Sequence, residues 1–331
     1  MMAVWGLHLE FAPDVAGGAL FPYLESMANQ TFGIALGQGG ADTIIRAMVK
    51  LIKQQGDEVL TGQAVQRVEV QAGRATGVLF GRATGVLLTD GTRIAAGRAV
   101  ITKLHPKALY GRLLAAGQED VPAKQPAAAR LRPGPGTMMI HLALGGLPAW
   151  RAGAELSRYA DVHIAPSLDQ MARTYGQALA GLLPAEPVLV VGQPTVFDPS
   201  RAPPGGHVLW VQVRVLPAVV TGDAAGQMAP AHWDQLKEAY ADRAMALLER
   251  HAPGVAGRVL ARQVMSPTDL ERDNPNLKRP QGRGADLLAC GVLRHRGRGQ
   301  STLAAHSGQR RLAGSRQPGA AAICARAVIP A

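Results

Sequence analysis

Apolar positions along this chain recur with two periods, and the changes between them mark its elements. Behind Gly39 and Gly40, residues Ile44, Ile45, Met48, Leu51 and Ile52 recur at helical spacing. Asp42 falls in the first turn, where a carboxylate suits the helix dipole, and Gly56 stands where a C′ glycine would end the helix. Alternation then predicts a strand over residues 65–70, a turn at Gly73 and Arg74, and a second apolar strand. Asp90 and Gly91 form a strong hairpin signal before a last apolar run over residues 99–101. The order is helix, strand, then β-meander.

Farther on, residues 138–144, 162–164, 188–191 and 207–216 read as strands. Residues 168–183 and 233–251 read as amphipathic helices, the first through Leu168, Met171, Tyr175, Leu179 and Leu182. In the 207–216 strand, Val211, Val213 and Val215 share one face, and Trp210, Gln212, Arg214 and Leu216 share the other. The meander also carries a tandem copy: GRATGVLF over residues 73–80 is followed at once by GRATGVLL over 81–88. Because eight is even, either copy can pair with the same side chains facing inward. One copy is expected to hold the register while the other extends the hairpin or bulges out, and a dedicated binding loop is the functional alternative.

Composition narrows the class. With 331 residues the chain can bury a full core and is expected to hold about two domains, and 47% hydrophobic residues suit a globular protein. No basic and apolar leader follows Met1, and no apolar run is long enough to cross a bilayer, so the expected location is the cytoplasm, with peripheral membrane contact left open. Cys290 and Cys324 have no partner spacing for a disulfide framework or a zinc site. The formal charge of +11 is local: residues 278–331 hold ten of the 35 Lys and Arg residues but one of the 24 acids, Asp286. That tail has no aromatic residue and no convincing strand or helix period, which argues for a solvated segment and against stacked nucleic acid. RHRGRGQ over residues 294–300 could still meet phosphates or another acidic partner by charge.

GQGGAD over residues 37–42, preceded by a plausible strand over 32–36, comes near to the dinucleotide pattern G-x-G-x-x-G. Asp42 breaks it, since it replaces the small residue that permits close helix packing and would set a carboxylate near a pyrophosphate. No G-x-S-x-G, H-E-x-x-H or P-loop is present, which leaves hydrolase and kinase readings without support.

As a set, these strings resemble a known family. The Gly-Gly helix and meander, GPGTMMIHLAL from Gly134, the long string from Tyr159 to Pro217, and SPTDLERDNPNL from Ser266 resemble the phytoene-desaturase-like NAD(P)/FAD-dependent oxidoreductases of the flavin amine oxidase superfamily, nearest to the pyridine-nucleotide-disulfide-oxidoreductase-domain branch. The resemblance implies an α+β chain. Residues 1–36 would be a helical segment of the substrate domain, and 37–110 a partial FAD-binding domain. Residues 111–277 would be the substrate domain, a mixed or antiparallel sheet with helices on one face, and 278–331 a tail that leaves the family pattern, as a shifted reading frame would produce.

It further implies FAD as cofactor, with hydride passing to flavin from a small lipophilic or amine-like substrate. Gly39 and Gly40 would pass close to the flavin, and the backbone of Val65 would meet its adenine end. Residues 101–106 would be the strand end and turn near the dinucleotide. His141 and Arg214 would face the substrate cavity, His141 as a proton donor or acceptor and Arg214 as a polar anchor. The structural alternatives are a helix-entry loop, a core valine, a turn residue at Pro106, a satisfied core histidine and a solvent-facing arginine. The family's phosphate-binding glycines would stand upstream of the Gly-Gly helix, so flavin binding by this chain is expected to be weak or absent. A non-catalytic binding or scaffold protein is the alternative, completing a flavin site with a separate N-terminal polypeptide or meeting acidic partners through the tail.

Overall fold

The computed structural model describes residues 2–9, 12–33, 35–75, 78–97, 99–114, 134–274, 291–294 and 327–329. In chain order, helices α1 (Leu20–Phe32) and α2 (Asp42–Gln54) precede strands β1 (Val59–Thr61), β2 (Val65–Ala75), β3 (Val78–Leu88), β4 (Arg93–Ala95) and β5 (Ala99–Thr102). Then come α3 (Pro106–Ala108), β6 (Gly136–Leu144), β7 (Asp161–Ile164), α4 (Leu168–Leu179), β8 (Leu182–Leu183), β9 (Val188–Gly192), β10 (His207–Leu216) and β11 (Gly222–Asp223). The last elements are α5 (Trp233–His251), β12 (Val259–Met265), α6 (Pro267–Asp273), β13 (Gly291–Arg294) and β14 (Ala327–Ile329). The architecture is α+β, and the chain forms two compact units: Met1–Thr43 with Arg132–Ala285, and Ile44–Leu131 with Asp286–Ala331.

The first unit is built on a five-stranded antiparallel sheet in the order β12-β6-β10-β9-β7. Alternation along β6 and β10 turns Met138, Ile140, Leu142, Leu209, Val211 and Val213 to one face, where α5 covers them with Trp233, Leu236, Tyr240, Ala244 and Leu248. Full burial of such side chains stabilises the unit by about 2 kcal/mol each. Tyr240 donates to Pro184 O at 3.0 Å and Trp233 Nε1 to Pro217 O at 3.0 Å, so neither polar tip is stranded. Arg243 lies over the Tyr240 ring and makes a two-pronged pair with Asp223, at 2.7 and 2.6 Å. That pair and two backbone amides hold the Asp223 carboxyl down at about 2.

Three expectations change here. Helix α4 ends at Leu179, not residue 183, because Gly181 takes φ +83° and Leu182–Leu183 pairs with β11. Its buried stripe is Met171, Thr174, Tyr175 and Ala178, packed on Val188 and Val215, while Leu168 and Leu179 are exposed. In β10 the alternation breaks: Val215 has φ +62°, Val213 pairs with Met138, and Leu216 pairs with Gly136. Three steps on β10 thus face two on β6, a bulge. Leu216 therefore joins the α5 face and Val215 the other, the reverse of simple alternation.

The second unit holds the meander β2-β3-β4. The expected turn at Gly73 and Arg74 is strand instead, since Gly73 pairs with Phe80 and Arg74 with Leu79. The first repeat copy lengthens the hairpin, and the second, over residues 81–88, pairs with both β2 and β4. Each step of added ladder satisfies backbone groups that an earlier reversal would leave to water. The Asp90-Gly91 turn is present, with Gly91 at φ +86° and Thr92 N donating to Asp90 at 2.8 Å. In the basic tail, where no strand period was expected, β13 pairs with β5 and β14 with β1. Residues 275–290 and 295–326, with both cysteines and nearly all of RHRGRGQ, lie outside the described residues. Among the described residues no helix is long and apolar enough to cross a membrane.

Candidate functional site

The glycine loop over residues 37–40 lies between two helices. The strand expected over residues 32–36 is not there: Phe32 ends α1, Gly33 caps it, and residues 35–37 form no regular element. The dinucleotide alternative therefore loses the strand its geometry requires. Gly39 and Gly40 adopt φ of +84° and +140°, conformations that L side chains rarely tolerate. A Cβ on Gly37 would stand 2.8 Å from Gly40 O.

This loop is held by a segment far away in sequence. Gly39 N donates to Asp198 Oδ2 at 2.6 Å, and Arg201 Nη2 donates to Gly37 O at 2.6 Å. Arg201 Nε also donates to Asp198 Oδ2 at 3.0 Å, and Ser200 Oγ donates to the second carboxylate oxygen. Together the Ser200 hydroxyl, the Gly39 amide and Arg201 hold the Asp198 carboxyl at about 2. Gly40 N turns inward to Gly37 O at 3.2 Å. With both amides engaged, the loop can present a flat backbone surface but no vacant anion-binding amide at Gly39 or Gly40.

The second part of the site is the sheet face turned away from α5. Register places Asp161, Gly192, Trp210, His141 and Gln263 in one row across the five strands, and His163, Val190, Gln212, Met139 and Met265 in the next. His141 and Arg214 share this face and are half-buried. They stand four residues apart in register, roughly 13 Å along the strands, too far to act on one small group. The Trp210 indole lies over Gly192, filling the space where any side chain would begin. Trp5 packs on His163 with ring centroids 5.1 Å apart.

Val65 opens β2 opposite Leu88 and packs at the rim of a cluster of Val68, Ala83, Leu109, Leu113 and Leu114 in the second unit. Strand β5 ends at Thr102, and Pro106 starts α3 at a position that suits its missing N–H. Sequence reasoning missed Asp198, Arg201 and Gln193. Gln193 is buried, accepts from Trp150 Nε1 at 3.1 Å and donates to Leu156 O and Tyr159 O, tying the end of β9 to the approach to β7. The only sequence signal for the clamp was its place in the family-like string from Tyr159 to Pro217.

With this geometry in place, comparison with known proteins gives the class. The chain resembles the flavin-type oxidoreductases of the phytoene-desaturase kind, including the pyridine-nucleotide-disulfide-oxidoreductase-domain proteins. Individually, it is 27% identical over 245 residues to pyridine nucleotide-disulfide oxidoreductase domain-containing protein 2 of Mus musculus, covering 71% of this chain and 39% of that protein. It is 26% identical over 259 residues to phytoene dehydrogenase of Streptomyces griseus, covering 78% of this chain and 44% of that protein. The chain thus spans less than half the length of these curated relatives. No family model matches it. Among solved structures, an oxidoreductase from Methanosarcina mazei aligns with a TM-score of 0.49 at 20% identity, over 79% of this chain and 52% of that one.

Proposed function

We propose that this chain is part of an FAD-dependent oxidoreductase of the phytoene desaturase and amine oxidase type, oxidising a lipophilic or amine-like substrate. The observation that supports it is the clamped loop of Gly37, Gly39 and Gly40. Its positive φ values exclude side chains, so a flat ring system can approach the backbone closely. Its internally satisfied amides suit a ring and do not suit a phosphate. FAD, when bound, supplies the hydride acceptor. Asp198 and Arg201 hold the loop's shape, and the sheet face turned away from α5, with His141 and Gln212 in adjacent rows, orients the substrate. Binding is weak in this reading because Gly39 and Gly40 offer no phosphate contact.

The test is a titration of FAD followed by flavin fluorescence. Wild type is expected to give a weak saturable quench that Gly40→Val abolishes, with the fold monitored by circular dichroism. A quench that Gly40→Val leaves unchanged, or no quench at all, sinks the reading.

A second reading is supported by α2, whose Ile44, Ile45, Met48 and Leu51 are all more than half exposed. In it a separate flavin-binding polypeptide covers that face and completes the site. Ile45→Lys would then abolish co-elution with such a polypeptide, and unchanged co-elution would exclude this face.

A further inference from the structure

We infer that Asp161 and Trp210 form a binding site for the ammonium group of a cationic amine. Asp161 begins β7 on the face turned away from α5, directly opposite Gly192, which in turn lies opposite Trp210. Because Gly192 has no side chain, the Trp210 indole folds over it and lies above β9, the strand next to β7. The carboxylate and the aromatic ring therefore border the same patch of sheet. His163, two residues along β7 on the same face, carries Trp5 against its ring and closes that side with aromatic surface. Gln193 and its bonds to Leu156 O and Tyr159 O fix the backbone as it approaches β7.

Asp161 has no counter-charge among the described residues. Among the described residues no hydrogen bond or ion pair reaches its carboxylate, unlike Asp198 and Asp223, which each have several donors. Burial alone acts on it and pushes its carboxyl above the ordinary range. A half-buried carboxylate on the same sheet face and register row as an indole matches the two attractions that an alkylammonium ion offers, charge pairing and contact with the negative face of an aromatic ring. A neutral hydrocarbon would leave Asp161 unpaired and more deeply desolvated, so the site selects amines over plain lipophilic molecules. Only the step from ligand to substrate rests on the oxidoreductase reading above.

The test compares benzylammonium with its neutral counterpart benzyl alcohol by isothermal titration calorimetry on the full chain without flavin. Benzylammonium is expected to bind about tenfold more tightly. Asp161→Asn should remove that preference, Asp161→Glu should retain it, and Trp210→Leu should weaken the ammonium compound with Asp161 intact. Equal binding of the two compounds, no binding of benzylammonium, or a preference that survives Asp161→Asn overturns the inference. Because flavin is absent, failure here is distinct from failure of the flavin quench, and either can occur without the other.

Discussion

Asp198 accepts the backbone amide of Gly39 at 2.6 Å across 159 residues of sequence. A carboxylate thus fills the position at which a loop before a helix would otherwise meet an anion. This one bond separates a loop that shapes a surface from a loop that binds a phosphate.

Asp198→Ala frees the Gly39 amide and removes the partner of Arg201. The expected result is faster hydrogen exchange at Gly39 and Gly40 with little change at core amides such as Val211. Unchanged exchange at Gly39 would show that the loop holds its own shape.

Arg243→Ala leaves the buried Asp223 carboxylate without its two-pronged partner, and the expected loss is about 3 to 5 kcal/mol by urea denaturation. The pair also sets an acid limit. The folded Asp223 carboxyl sits at about 2 against an ordinary value of 3.8. Its contribution is therefore fully present above about pH 4 and is lost as the pH falls toward about 2. Asp223→Asn should be less stable near neutral pH and flatter across that window. An unchanged acid profile would contradict the assignment.

Gly192→Ala places a methyl group where the Trp210 indole lies, and overpacking of this kind costs about 1 to 3 kcal/mol. Trp210→Leu should recover part of that loss when combined with Gly192→Ala. A double-mutant cycle with no coupling energy would mean that the indole does not cover Gly192.

Val215→Gly tests the bulge. The valine sits at φ +62° and is buried, so glycine loses a packed side chain while relieving backbone strain of about 1 to 3 kcal/mol. The expected net change is under about 1 kcal/mol, whereas Leu209→Ala on the regular part of the same strand should cost about 2 to 5 kcal/mol. Equal penalties at the two sites would argue against the bulge.

How much of this was legible follows from the range of the forces involved. Strand β10 and helix α5 have the boundaries that their periodicity predicts, because alternating Leu209, Val211 and Val213 and the stripe from Trp233 to Leu248 report directly on a buried face. The end of α4 was misjudged because Leu182 continued the apolar stripe while Gly181 released the backbone into a strand. His141 and Arg214 were legible as polar residues on predicted strands, but their spacing along a shared face required the register.

By itself the sequence determined most strand positions, the Asp90-Gly91 turn and the family resemblance that implied an α+β class, since each depends on residues close together in the chain. Only the tertiary structure decided that Asp198 and Arg201 hold the glycine loop, that Trp210 lies over Gly192, and that Asp161 shares a row of the sheet with that ring. The physical reason is that hydrogen bonds and ring contacts act over a few ångströms. Which groups come that close depends on register, bulges and packing between segments up to 164 residues apart, and no local pattern encodes them.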